Sequence, residues 1–318
     1  MMWTRRLAAL PFFRPRRTLQ EQRLDKHAVK RNGAEVLVFD HVPKTAGTTF
    51  RRSYLTAALP RDERWILAGG EENERDLERL LSMRDDARRR LRVVAGHGAD
   101  VLRSRWPGAR FITVIRDPVE RAISSYLHAL FHRGGESLWK PVRDEQMTLT
   151  QFVERYQPAD EQSRLLLGAD YATLGPGEIR ARLRARYALV GCTEAFDAFI
   201  FFLHLTEGLP LCLFNNRLVR PERQTYEPLV AERETVRRHN AIDSHLHQVV
   251  RDDFQSRLDA LPEATQAMLR RYLEALNTFR AETNGDLGQA IRLDEPIEDE
   301  TAARYYTAVF GHVPRPVC

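Results

Sequence analysis

Val36-Leu37-Val38-Phe39-Asp40-His41-Val42-Pro43-Lys44-Thr45-Ala46-Gly47-Thr48-Thr49-Phe50 begins as a β-branched, apolar strand and breaks at a proline. A loop of one lysine, one glycine and three threonines follows, and then a helix. That order gathers an ammonium, several hydroxyls and the free backbone N–H groups of a helix N-terminus around one point, which suits a phosphate or sulfate. A Walker loop reads G-x-x-x-x-G-K-[ST]; here Lys44 precedes Gly47 and the upstream glycine is missing. Taken alone, the loop is as readily an ordinary strand-to-helix turn with a solvated lysine.

A second stretch decides between these readings: Phe111-Ile112-Thr113-Val114-Ile115-Arg116-Asp117-Pro118-Val119-Glu120-Arg121-Ala122-Ile123-Ser124-Ser125-Tyr126. An apolar strand ends in Arg116, Asp117 is placed to cap a helix, and Pro118 sits where the first helical turn tolerates it. Ser124 falls about two turns into that helix, on roughly the face of Arg121 and His128. Arg116 and Ser124 can therefore close on a second phosphate, although a lone arginine at a strand end is commonly a salt-bridge partner.

In this order the two motifs resemble the sulfotransferases that use 3′-phosphoadenosine 5′-phosphosulfate (PAPS). Pro43-Lys44-Thr45-Ala46-Gly47-Thr48-Thr49 looks like that family's 5′-phosphosulfate loop, and Arg116 to Tyr126 like its 3′-phosphate motif. The form beginning at Val42 is closest to the carbohydrate branch that includes heparan sulfate 2-O-sulfotransferase. Weaker similarities continue in Glu161-Gln162-Ser163-Arg164-Leu165-Leu166-Leu167-Gly168, Val190-Gly191-Cys192-Thr193-Glu194-Ala195-Phe196-Asp197 and Asn240-Ala241-Ile242-Asp243-Ser244-His245-Leu246. The resemblance implies a P-loop-NTPase-like α/β fold, a parallel sheet flanked by helices, with C-terminal helices packed on it. It also implies a carbohydrate or glycolipid acceptor.

Composition agrees with an anionic partner. The 318 residues are 43% hydrophobic and 29% charged, with a formal charge of +5, so the chain can bury a full core and suits a nucleotide cofactor. No nucleic-acid module is evident. Cys192, Cys212 and Cys318 lie far apart without C-x-x-C spacing, which argues against a disulfide framework or a zinc site; Cys192 and Cys212 read as buried small hydrophobes. No stretch reaches the roughly 18 apolar residues of a bilayer span. Beside the anchored Golgi members of the family, this points to a bacterial, cytoplasmic relative. Residues 1–34 form a basic leader, mixing aromatic residues with arginines, in which peripheral contact with an anionic membrane competes with plain disorder. Residues 35–283 are expected to form the sulfotransferase domain, and 284–318 a tail of no assigned role.

Strands separated by helices predict parallel βαβ units with ligands at the carboxyl ends of the strands. Strands are expected at Glu35 to His41, Arg92 to Gly98, Phe111 to Ile115, Ala188 to Gly191 and Leu211 to Phe214. Helices are expected at Thr48 to Leu59, Glu71 to Arg90, Val101 to Trp106, Pro118 to Phe131, Phe196 to Glu207, Leu229 to Leu258 and Ala264 to Phe279. The stretch from Gly134 to Asp144 reads as irregular. Lys44, His97 and Arg116 each fall just past a strand end, so one crevice can hold all three. The basic loop Asn215 to Arg223 also follows a strand and reads equally as a solvated basic loop; in relatives a loop here completes the nucleotide pocket, so the resemblance implies that Arg217, Arg220 or Arg223 contacts PAPS.

Sulfuryl transfer moves a group with one negative charge where phosphoryl transfer moves about two, so cations and hydrogen bonds can replace a magnesium clamp. The cradle also lacks the flanking carboxylates of such a metal site. Lys44 would meet charge growing on the leaving phosphate, while Thr45, Ala46, Gly47, Thr48 and Thr49 supply backbone and hydroxyl contacts. Arg116 and Ser124 would hold the 3′-phosphate. The acceptor hydroxyl needs a base, and histidine fits. His97, in Ala95-Gly96-His97-Gly98, resembles the catalytic histidine of the 2-O-sulfotransferase branch; His41, two residues before Pro43, is its rival. A kinase of P-loop type and a non-catalytic nucleotide- or polyanion-binding protein are the alternatives.

Overall fold

The computed structural model describes residues 36–68, 72–131, 136–216, 226–294, 297 and 299–314. Its centre is a five-stranded parallel sheet in the order β2-β3-β1-β4-β5. These strands are β1 (Leu37–Asp40), β2 (Arg64–Ile66), β3 (Val93–Gly96), β4 (Arg110–Ile115) and β5 (Leu189–Cys192). β1 is the middle strand, pairing Phe39 with Ala95 on one side and with Ile112 on the other. It is buried on both faces, which is why its sequence is a continuous apolar run and not an alternating one.

Alternate residues of β1 and β4 face two different cores. Leu37, Phe39, Ile112 and Val114 join one, and Val36, Val38, Phe111 and Ile115 the other. The first core is covered by the helical run after β1, by α11 (Phe196–Glu207) and by α14 (Glu263–Glu282); the second by α9 (Glu161–Leu167), α10 (Pro176–Arg186) and α13 (Ala241–Asp259). The run after β1 comprises α1 (Gly47–Thr49), a π-type turn (Phe50–Tyr54) and α2 (Leu55–Ala58). Phe39 and Phe50 stack across it at 4.2 Å between ring centroids. A third, smaller core lies between α6 (Pro118–Phe131), α7 (Glu136–Asp144), α8 (Leu149–Tyr156) and α12 (Val230–His239).

Several elements differ from the sequence expectation. Glu71 to Arg90 holds two helices, α3 (Asn73–Leu81) and α4 (Asp85–Arg90), and α5 is Leu102–Arg105. The stretch expected to be irregular contains α7, with Pro141 inside it. Leu229 to Leu258 is two helices, because Asn240 leaves the helical region at φ −123° and ψ 45° between α12 and α13. β6 (Cys212–Phe214) stands apart from the parallel sheet and pairs antiparallel with β7 (Ala290–Arg292). The C-terminal segment thus packs on the body of the fold: Leu293 and, in α15 (Glu300–Phe310), Tyr305, Tyr306 and Val309 are buried in the first core. Among the described residues no helix is long and apolar enough to cross a membrane.

Candidate active site

At the carboxyl end of β1 the chain turns through Lys44 (φ 68°) and Ala46 (φ 60°), both in the left-handed region without being glycine. Such positions cost on the order of 1–3 kcal/mol each and persist where surrounding structure imposes them. Left-handed residues interleaved with others along a turn can gather backbone amides into a concavity that suits an anion. Thr45 is fully buried and its hydroxyl donates to the Val42 carbonyl at 2.8 Å, so that hydroxyl fastens the loop, whereas the expectation was that it would face the anion. Gly47 is required for another reason. A Cβ there would stand 1.8 Å from Nε2 of His41, whose ring lies close against the start of α1.

His41 is buried and stacks on His97, with ring centroids 4.0 Å apart. His97 follows β3, the neighbour of β1, and is half-buried. Its Nδ1 lies 2.9 Å from the His41 carbonyl oxygen. A carbonyl only accepts, so Nδ1 carries the proton and Nε2 of the neutral ring keeps its lone pair. The His97 carbonyl in turn accepts from Asn73 Nδ2 at 3.1 Å. Burial, and then the Arg51 guanidinium, hold His97 below the ordinary histidine range; for His41 burial comes first, followed by the charges of His97, Arg51 and Lys44, and holds it well below. Both rings are therefore neutral near pH 7. Arg51 spans the site from α1's continuation, donating to the Gly47 and Leu67 carbonyls at 3.3 Å each.

Arg116 leaves the carboxyl end of β4, the other neighbour of β1, and its Nη1 reaches the Lys44 carbonyl at 3.4 Å. Lys44, His41, His97 and Arg116 are thus brought to one end of three adjacent strands. Asp117 caps α6 as expected, its Oδ1 accepting from the amides of Val119 at 2.9 Å and Glu120 at 3.0 Å. Ser124 is half-buried two turns into α6, Thr48 is half-buried, and Thr49 is buried. Arg217, Arg220 and Arg223 lie outside the described residues.

Motif reading left out the residues that hold the Arg116 corner. Gln162 clamps the Arg116 backbone from both sides: its Oε1 accepts from the Arg116 N–H and its Nε2 donates to the Arg116 carbonyl, each at 2.9 Å. Glu194 Oε1 accepts from the Asp117 N–H at 2.9 Å, and the Thr193 hydroxyl donates to the Ile115 carbonyl at 3.1 Å. Asp243, buried, accepts from the Gln162 and Ser163 amides at the start of α9, while Asp160 accepts from the Ile242 and Asp243 amides at the start of α13. Arg121, also buried, pairs with Glu161 at 2.6 Å. The three weaker sequence similarities therefore converge on one corner of the site.

No protein-family model matches the chain, and no curated protein matches it. Seven solved chains match, among them a sulfotransferase from Alicyclobacillus acidocaldarius. That chain is 16% identical, over 69% of this chain and 97% of its own, at a TM-score of 0.37.

Proposed function

We propose that this chain is a PAPS-dependent sulfotransferase acting on a hydroxyl of a carbohydrate, glycolipid or polysaccharide. The observation that carries the reading is the convergence of a left-handed Lys44–Ala46 turn, the clamped Arg116 corner and the Nε2 edge of His97 at one end of β3, β1 and β4. The site fits the donor in kind: a concave turn beside a lysine for one anionic end, and a guanidinium for the other, whose planar fork suits phosphate.

When bound, PAPS supplies an activated sulfonate on a phosphate leaving group. Lys44 and the amides of the turn through Thr49 hold that end and counter its charge. Arg116, with Ser124, holds the 3′-phosphate. His97 Nε2 receives the acceptor's proton, and the His41 carbonyl keeps the other ring nitrogen protonated so that this tautomer is always presented. His41 itself is walled in under Gly47, which supports a packing role for it.

The kinase reading is disfavoured by the order of Lys44 and Gly47. The non-catalytic reading leaves the orientation of His97 without a purpose. Labelled PAPS incubated with the chain and a panel of sugar and glycolipid acceptors tests the proposal. Transfer of label to an acceptor hydroxyl supports it, and phosphoryl transfer from ATP with Mg²⁺ in its place would overturn it.

A further inference from the structure

The geometry points to a metal site at the carboxyl end of β5, formed by Cys192, Glu194 and His247 and suited to a zinc-class divalent ion. Their donor atoms, a thiol sulfur, a carboxylate oxygen and an imidazole nitrogen, all lie within 4.8 Å of one another. Each comes from a fixed element: the last residue of β5, the turn that follows it, and the second turn of α13. C-x-x-C spacing cannot reveal such a set, because one of its ligands lies on a distant helix.

The distances fit the ion. Tetrahedral zinc, with bonds of about 2.0–2.2 Å to nitrogen and oxygen, puts two such ligands about 3.3–3.5 Å apart. His247 Nε2 and Glu194 Oε2 are 3.3 Å apart. A zinc–sulfur bond of about 2.3 Å places sulfur roughly 3.5–3.7 Å from each of them, so from separations within 4.8 Å Cys192 closes the set by a shift of about 1.3 Å at most. The other Glu194 oxygen is held by the Asp117 N–H at 2.9 Å, which is the orienting contact a metal-bound carboxylate needs. Thiol, imidazole and carboxylate together suit Zn²⁺ or Co²⁺, not the all-oxygen preference of Mg²⁺ or Ca²⁺. Glu194 is the exposed member, so the ion enters from its side and the fourth position faces water. On binding, the Cys192 S–H bond is replaced by a sulfur–metal bond and the proton leaves to solvent. The ion would tie α13 and β5 to the Asp117 corner, and it takes no part in the proposed transfer.

The test is a titration of the metal-free full chain with Co²⁺, followed by absorption, with Zn²⁺ as competitor. The expected result is a thiolate-to-cobalt charge-transfer band that saturates at one equivalent and is displaced by Zn²⁺. Cys192→Ala should abolish the band, and His247→Gln should weaken binding roughly tenfold or more. Thermal unfolding of the metal-free variants shows that they fold. Absence of a thiolate band in the wild-type chain, or a band that survives Cys192→Ala, would overturn the site and leave Glu194 and His247 a plain side-chain contact at 3.3 Å.

Discussion

His97 Nδ1 stands 2.9 Å from the carbonyl oxygen of His41, and the two rings stack at 4.0 Å. One residue thereby sets the tautomer of the other through its backbone while its own ring is sealed under Gly47. The proposed function gives the two histidines separable roles.

His97→Ala should keep nucleotide affinity and lose roughly 10²–10⁴-fold in transfer, the range supplied by a positioned general base. His41→Ala opens a cavity beneath the cradle, so it should lower thermal stability and nucleotide affinity together. Calorimetry and single-turnover rates on both variants check this. Because burial holds His97 below the ordinary range, the acid limb of the rate should lie below pH 6.5. Near-normal transfer by His97→Ala, with transfer abolished in His41→Ala at unchanged affinity, would move the base to His41.

Lys44→Ala and Arg116→Ala should divide differently between binding and rate. Arg116 is assigned to a phosphate that does not react, so its loss should weaken nucleotide binding by roughly 1.5–3 kcal/mol, the worth of a charged hydrogen bond. In the proposed transfer Lys44 would meet charge that develops on the leaving group, so its loss should fall mainly on the rate. Equal losses of affinity and rate from both changes would contradict this division.

Gln162→Met keeps the side chain's length and removes both contacts to the Arg116 backbone. Losing two such hydrogen bonds costs about 0.5–1.5 kcal/mol each. Nucleotide affinity should fall toward that of Arg116→Ala, and adding Gln162→Met to Arg116→Ala should cost little further affinity. Full additivity of the two changes would show that Gln162 does not act through Arg116.

Asp40, at the end of β1 just before His41, is pushed up to about 6 by burial and by Asp100, against the Tyr187 hydroxyl that donates to it at 2.8 Å. Between its unfolded value of 3.8 and about 6 the folded chain binds the extra proton, so the wild type loses stability as pH rises through that window. Asn does not titrate and still accepts from Tyr187. The stability of Asp40→Asn relative to wild type should therefore improve from pH 4.5 to pH 7. The neutral buried histidines act in the opposite sense, destabilising the fold as pH falls below 6.5, but they are common to both proteins and cancel. Denaturant melts at the two pH values decide it, and a relative stability that is flat or declining would contradict the assignment.

The readable parts of this chain are those governed by local rules. Asp117 and Pro118 announce α6, an unbroken apolar run announces β1, and Pro43 marks the loop between β1 and α1, so these elements are legible. Arg64-Trp65-Ile66 is a three-residue, half-buried edge strand with no alternation to reveal it. The break at Asn240 is imposed in part by Asp160, whose carboxylate caps α13 from 82 residues away. Gln162 and Glu194 act on backbone atoms 46 and 77 residues distant, and no spacing rule reaches that far. Lys44 and Ala46 adopt left-handed conformations that their identities disfavour, so the shape of this turn was hidden although its residues were in plain view.

The measurement closest to the central claim is calorimetric binding of adenosine 3′,5′-bisphosphate in excess chelator, set beside ATP with Mg²⁺. The site described here predicts saturable one-to-one binding of the bisphosphate without added metal, lost in Arg116→Ala, with ATP and Mg²⁺ binding more weakly. No binding of the bisphosphate by the wild-type chain, or tighter binding of ATP with Mg²⁺, would contradict it.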